Sequence, residues 1–103
     1  MENMVYGFIP THPGEVLKDE IEYRGISQSR LAKQMKMSYN VLNDILNERR
    51  PLTATTAMMF EAALDVPADS LMHIQLKYNM QTAKKDSKFL SRLAEIRKLA
   101  AMI

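Results

Sequence analysis

Apolar residues recur every three or four positions along most of the chain, a spacing that is typical of amphipathic helices. The sequence contains no alternating β-branched run and no Asn-Gly or Asp-Gly pair of the kind that begins a hairpin. The pattern therefore predicts an all-α fold of six short helices. The positions expected to face inward are, in chain order, Val16, Leu17 and Ile21; Leu31, Ala32 and Met35; Leu42, Ile45 and Leu46; Ala57, Met58, Phe60, Ala63 and Leu64; Leu71, Met72, Ile74 and Tyr78; and Phe89, Leu90, Leu93, Ile96, Leu99 and Ala100.

The helix boundaries follow from residues that favour helix ends. Gly25 suits the end of the first helix because glycine takes positive φ without strain. Ser27, Ser38 and Thr53 are expected to be N-caps, since their hydroxyls accept hydrogen bonds from free backbone N–H groups. Only residues 36–37 separate the second predicted helix from the third, which indicates a tight turn between them.

The chain length of 103 residues fits one domain with short flanking segments. We predict an N-terminal arm over residues 1–12, a five-helix domain over residues 13–80 and a C-terminal helical extension over residues 81–103. The last helix is predicted over residues 88–102. Its apolar stripe is expected to pack on the domain or on a second subunit, because it is too apolar to remain in water.

The composition argues against several classes of function. The absence of cysteine excludes disulfides, thiolate metal sites and cysteine nucleophiles, and it fits a reducing, cytoplasmic compartment. No apolar run is long enough to span a bilayer, and no secretion signal precedes Pro10. We see no nucleophile–base pair, phosphate-binding glycine loop or metal cluster, so we expect no enzymatic activity, no cofactor and no metal. His12 is expected to cap a helix or lie in a turn.

Charge is unevenly distributed, although the net charge is only +2. Residues 24–50 hold six basic and two acidic side chains, whereas residues 14–22 hold four acidic and one basic. Patches of this kind steer charged partners toward a protein. The acidic first helix is either a solvated face or a surface for a basic partner.

Two short helices joined by a tight turn are the local pattern of a helix-turn-helix, here over residues 27–47. In this motif the second, recognition helix presents its outward side chains to base edges in the major groove of duplex DNA. With Ser38 as N-cap, we expect amides that pair with adenine and a carboxylate, Asp44, that accepts from cytosine or orients a neighbouring side chain. The predicted base-reading residues are Tyr39, Asn40, Asn43 and Asp44.

Phosphate contacts are expected from the residues that flank this face. The first residues of the preceding helix can offer N–H donors to a phosphate, and nearby bases supply salt-sensitive attraction. The predicted phosphate-binding residues are Gln28, Ser29, Arg30, Lys33, Ser38, Asn47, Arg49 and Arg50.

Several segments are similar to one known family. Residues 27–32 (SQSRLA) and 41–47 (VLNDILN) resemble the Xre family of phage-repressor-like proteins, of the lambda and Cro type. Residues 10–17 (PTHPGEVL) resemble the P-x-H-P-G-E-x-L opening of its HigA antitoxin group, and residues 50–54 and 74–78 extend the likeness. The resemblance implies a lambda-repressor-like helix-turn-helix domain of five helices, here with an extra C-terminal helix.

The resemblance also implies partners. It implies an antitoxin that represses its own toxin–antitoxin operon and neutralises a RelE-like toxin of the HigB type. A small core favours a homodimer, and a two-fold dimer would match a palindromic operator. Two other functions remain open: a stand-alone Xre-family transcriptional regulator without a toxin, and a partner-binding domain that no longer binds DNA. In two places the family usually has glycine and this chain does not, at Lys36 and Glu48.

Overall fold

A computed structural model describes residues 10–103, and within them it contains six helices and no strand, which confirms the all-α prediction. Residues 1–9 of the predicted N-terminal arm lie outside the described residues. None of the described helices is long and apolar enough to cross a membrane. The helices are α1 (Pro13–Tyr23), α2 (Gln28–Gln34), α3 (Tyr39–Leu46), α4 (Ala54–Leu64), α5 (Ala68–Ala83) and α6 (Ser87–Ala100).

The first five helices enclose one core. α1 packs against α3 and α5, α2 packs against α3, and α4 packs against α5. Phe60 and Leu42 lie at its centre and are fully buried. Because α3 contacts both α1 and α2, its apolar stripe is covered and its polar side is left facing outward. The buried apolar residues are Leu17, Ile21, Leu31, Ala32, Met35, Leu42, Ile45, Leu46, Leu52, Ala57, Phe60, Leu64, Ala68 and Leu71.

The first three helices end in the same way. In each, the residue after the C-cap has positive φ: Gly25 at 66°, Lys36 at 55° and Glu48 at 64°. In each, the next backbone N–H reaches back five residues, as in the 3.0 Å bond from Met37 N to the carbonyl of Ala32. This pairing satisfies carbonyls that a helix end otherwise leaves free. The helix ends therefore keep the family's glycine geometry at Lys36 and Glu48, where a side chain makes positive φ costlier by about 1 kcal/mol.

The N-terminus of α1 rests directly on α3. His12 is the N-cap, and its Nδ1 accepts a hydrogen bond of 2.9 Å from the backbone N–H of Gly14. A Cβ at Gly14 would overlap the backbone oxygen of Ile45 on α3, so only glycine permits this approach. The His12 ring packs edge-on against Tyr78 of α5, with centroids 4.9 Å apart. The expected capping role of His12 is thus confirmed.

Burial lowers the pKa of His12 below its ordinary value, and the nearby Glu48 carboxylate offsets part of this shift. A neutral ring suits the site, because Nδ1 must be unprotonated to accept the hydrogen bond from Gly14. His12 therefore joins α1, α5 and the end of α3 as an uncharged cap.

Gln75 is a buried polar residue of α5. Its Oε1 accepts a hydrogen bond of 2.8 Å from the backbone N–H of Leu52, and its Nε2 donates to Asn79. Since buried polar groups are costly unless they are paired, this contact fixes the chain that runs from α3 to α4. Gln75 thus holds in place the segment that carries Arg49 and Arg50.

One expectation about packing is wrong, and of two alternatives for the last helix one is excluded. Met58 was predicted to be buried, but 64% of it is exposed. The buried stripe of α4 runs through Ala57, Phe60 and Leu64, and Met58 lies about 100° around the helix from Ala57. The apolar stripe of the last helix does not pack on the domain, because α6 has no buried residue and contributes none to the core.

Candidate nucleic-acid interface

The two predicted serine caps orient the helix-turn-helix, and both are confirmed. Ser27 Oγ accepts a hydrogen bond of 3.3 Å from the N–H of Arg30, and Ser38 Oγ accepts one of 3.0 Å from Val41. With Leu42, Ile45 and Leu46 buried, the remaining face of α3 is turned to solvent. α3 therefore has the geometry that a recognition helix requires.

The first turn of α3 presents Tyr39 and Asn40. Tyr39 is 48% exposed, and Asn40 is also exposed. Within residues 10–103, the Asn40 amide makes no side-chain hydrogen bond, and its donor and its acceptor are both available. An amide in this state can pair with adenine through two hydrogen bonds without first breaking a contact inside the protein.

Asn43, in the second turn, is already engaged at both ends of its amide. Its Nδ2 donates to Gln28 Oε1 of α2 at 3.2 Å, and its Oδ1 accepts from Arg49 Nη2 at 2.8 Å. These bonds join the start of α2, the middle of α3 and the loop after α3. The geometry therefore favours a positioning role for Asn43, which holds the side chains of Gln28 and Arg49 close to each other.

Asp44 lies between two arginines. Its Oδ1 accepts a hydrogen bond of 3.1 Å from Nε of Arg49. Its Oδ2 forms an ion pair of 3.6 Å with Nη2 of Arg50. These side chains are half exposed, so the pairs add little to stability. Of the two roles predicted for Asp44, the contacts favour orientation of neighbouring side chains.

Asn47 closes α3 and brings a residue of α1 to the site. Its Nδ2 donates to the Asn43 carbonyl at 2.9 Å, and its Oδ1 accepts from Lys18 Nζ at 3.1 Å. Sequence reasoning gave no role to Lys18, because it lies among the acidic residues of α1. Residues four apart share one helix face, so Lys18 lies on the face of α1 that Gly14 turns toward α3, but this packing is a tertiary contact that the sequence does not show.

The remaining predicted phosphate ligands are not all brought together. Ser29, Arg30 and Lys33 are exposed on α2. Arg30 lines a groove that also includes Gln34 of α2 and Ala63 of α4, on the side of α2 away from Gln28. Hydrogen bonds and one ion pair thus join seven residues into one group, which we call the α3 cluster: Lys18, Gln28, Asn43, Asp44, Asn47, Arg49 and Arg50.

In the part of the chain that the structure describes, no group of three or more His, Asp or Glu side chains is placed to hold a metal ion. The α3 surface is an exposed, polar ridge of amides, arginines and one tyrosine. Its chemistry suits contact with a groove and its phosphates.

Known proteins are similar to this chain in sequence and in fold. The model of a helix-turn-helix family matches residues 17–71, from the middle of α1 to the first turn of α5. Virulence-associated protein I of Dichelobacter nodosus is 34% identical over 76 residues, which cover 73% of this chain and 70% of that protein.

Solved structures of relatives include complexes with DNA. PA4674 of Pseudomonas aeruginosa, solved with its operator DNA, is 37% identical, with 75% of this chain and 84% of that chain covered and a TM-score of 0.69. Antitoxin HigA of Pseudomonas aeruginosa, solved with the higBA promoter, is 33% identical, with 81% and 92% covered and a TM-score of 0.72. The chain therefore belongs to the Xre-type helix-turn-helix family of DNA-binding proteins and is similar to HigA antitoxins.

Proposed function

We propose that the chain is an antitoxin that represses its own operon by reading operator DNA with α3 and that neutralises a small RelE-like toxin of the HigB type. The observation that carries the DNA half of this proposal is the outward face of α3, which presents the unengaged amide of Asn40 in its first turn and is followed by Arg49 and Arg50, both paired with Asp44. Relatives at 33% and 37% identity, solved with a promoter and an operator, support DNA binding by this chain.

We assign the main base contacts to Asn40 and Tyr39. α3 rises only about 1.5 Å per residue, so its first turn reaches furthest into a groove. Asn43 and Asp44 follow in the second turn. They read bases only if DNA replaces their bonds to Arg49, so we assign them mainly to positioning.

Phosphate binding falls to the residues around this face. Gln28 and Ser29 stand at the start of α2, and Ser38 at the start of α3, where backbone N–H groups attract anions. Asn47, Arg49 and Arg50 lie at the other end of α3, and we assign them to the phosphates of the DNA backbone beside the same groove. Arg30 and Lys33 supply charge along α2.

Arg49→Ala and Arg50→Ala are each expected to weaken binding to all duplexes alike. Each lost phosphate contact should reduce the slope of log affinity against log salt by about one unit. Fluorescence anisotropy over a series of salt concentrations measures this slope. Lys98→Ala is the matched control, because it removes the same charge from α6, far along the chain. An unchanged slope in both arginine variants would show that neither residue contacts phosphate.

A two-fold homodimer completes the proposal. Such a dimer would place two copies of α3 about one turn of DNA apart, and the operator would then be a palindrome. A protein of this size also gains by burying apolar surface between two copies.

The antitoxin half of the proposal is tested by co-expression. The chain is produced with the product of the gene beside its own, with an affinity tag on one partner only. We expect the two proteins to co-purify, and we expect the neighbour to stop growth when it is produced alone. If no neighbour binds and operator binding persists, the chain is a stand-alone regulator. If the chain binds a partner but no DNA, the proposed role of α3 is wrong.

A further inference from the structure

The α6 helix leaves an apolar face exposed. Phe89 is 40% exposed, Leu90 42%, Ile96 52% and Leu99 62%, while Leu93 is half-buried. These α6 side chains leave on the order of 300 Å² of apolar surface in water. Contiguous apolar patches of a few hundred Å² are uncommon on monomeric proteins and mark sites of interaction.

The spacing on α6 is that of a short coiled coil. Phe89, Leu93, Ile96 and Ala100 follow one another at intervals of four, three and four residues. These are alternating d and a positions of a heptad, which pack into holes on a facing helix. The four residues are also symmetric about a point between residues 94 and 95. An antiparallel copy of α6 would therefore set Phe89 against Ala100 and Leu93 against Ile96, so that large and small side chains fill the space evenly.

The charges beside this seam decide the orientation. Arg92 occupies a g position, and Arg97 the e position five residues later. In a parallel pair these positions are neighbours across the seam, so Arg92 of each copy would lie beside Arg97 of the other and repel it. In an antiparallel pair, g positions lie beside g positions of the other copy, and e positions beside e positions. Leu99 is at g and Leu90 is at e, so Arg92 of one copy lies beside Leu99 of the other, and Arg97 beside Leu90. There the arginine methylenes cover the leucines, and the charged ends reach water.

We infer that α6 is a self-association helix, which pairs in antiparallel orientation with α6 of a second copy of this chain. The inference identifies α6 as the surface through which the dimer forms. That a dimer forms at all rests on the proposed function. The pairing leaves α3 free on each copy, because α6 contributes no residue to the core or to the α3 cluster. A basic partner is a poorer occupant, because α6 itself carries Lys88, Arg92, Arg97 and Lys98 against Glu95.

Ile96→Glu in the full chain tests the pairing. It places a charge in the centre of the seam, and we expect the dissociation constant of the dimer to rise about tenfold or more. Sedimentation at micromolar concentration should give twice the 11.8 kDa of one chain for the wild type and one chain mass for the variant. Lys98→Glu is the control, since it adds a glutamate on the solvent side of the same helix and should stay dimeric. Circular dichroism checks that the helical content of the variants is unchanged.

A dimeric Ile96→Glu chain or a monomeric wild type would overturn the inference. If the variant stays dimeric but no longer retains a co-purified neighbour, α6 is the surface for that neighbour, and the inference is again wrong. If the variant becomes monomeric and no neighbour ever co-purifies, the toxin half of the proposed function fails while the inference stands.

Disulfide capture tests the orientation, because the chain has no cysteine of its own. Phe89→Cys and Ala100→Cys are made separately, in chains with tags of different length, and then mixed under oxidation. We expect a bond only between the two different chains. Equal positions in an antiparallel pair are about 16 Å apart along the helix, beyond the reach of a disulfide. Bonds only between identical chains would show a parallel pair and overturn the proposed orientation.

Discussion

Replacing Gly14 by alanine is expected to lower the free energy of unfolding by about 3 kcal/mol or more. The added methyl group would meet the backbone oxygen of Ile45, and a backbone atom cannot rotate away as a side chain can. α1 must then move off α3, which also disturbs the His12 cap bonded to the Gly14 N–H. Urea denaturation followed by circular dichroism measures the loss.

Gly25→Ala is the matched control for this prediction. Gly25 has φ of 66°, but a Cβ there would meet no heavy atom within 4 Å. Its substitution should therefore cost only about 1 kcal/mol, the price of positive φ in a residue with a side chain. Equal losses at the two positions would contradict the close approach of α1 to α3. A Gly14→Ala chain that keeps wild-type stability would show that this contact does not hold the recognition helix in place.

Asn40→Ala is expected to weaken binding to the operator by roughly 1–3 kcal/mol, which is about 5- to 150-fold, with little change on random DNA. Asn40 is exposed in the first turn of α3, and its amide is not occupied by another side chain of the described residues. Its loss therefore removes contacts to a base without releasing any neighbour. Competition binding with operator and scrambled duplexes measures both affinities.

Gln34→Ala serves as the control, because it removes an exposed amide from the other helix of the motif. Gln34 lines the grooves between α2 and α4 rather than the face of α3. Its substitution should leave both affinities unchanged. If Asn40→Ala weakens operator and random DNA equally, Asn40 contributes general affinity and does not read sequence.

Most of the fold follows from local physical chemistry. The intervals between apolar residues predicted the helices. The serine and threonine N-caps were also predicted and are confirmed, because a hydroxyl that precedes a helix readily accepts a hydrogen bond from the free backbone N–H groups there. Met58 was misplaced because α4 is apolar on several sides, so that hydrophobicity alone does not show which side is buried. The left-handed conformations of Lys36 and Glu48 also escape local rules, since neither residue type favours positive φ.

The outward direction of the site residues was predictable, whereas their partners were not. Once Leu42, Ile45 and Leu46 are assigned to the core, helical geometry turns Tyr39 and Asn40 toward solvent. The bonds of Asn43 to Gln28 and of Asn47 to Lys18 join residues 15 and 29 positions apart. Such contacts depend on how α1, α2 and α3 cross, and this crossing is set by the whole core. Sequence therefore predicts which side chains are available, and the tertiary structure determines which of them are already engaged.

The C-terminal helix shows another limit of periodicity. Its spacing correctly indicated an amphipathic helix, but the same spacing suits burial on its own domain and burial on another chain. The structure excludes the first, because the stripe from Phe89 to Leu99 is exposed.

The most direct test of the account is the affinity of the wild-type chain for the DNA upstream of its own gene. A duplex from that region and a scrambled duplex of the same length and composition are titrated by fluorescence anisotropy at several salt concentrations. We expect the upstream duplex to bind about 10³-fold tighter or more at physiological salt, and we expect both affinities to fall as salt rises. Equal affinity for the two duplexes, or no binding to either, would contradict the claim that α3 reads a DNA sequence.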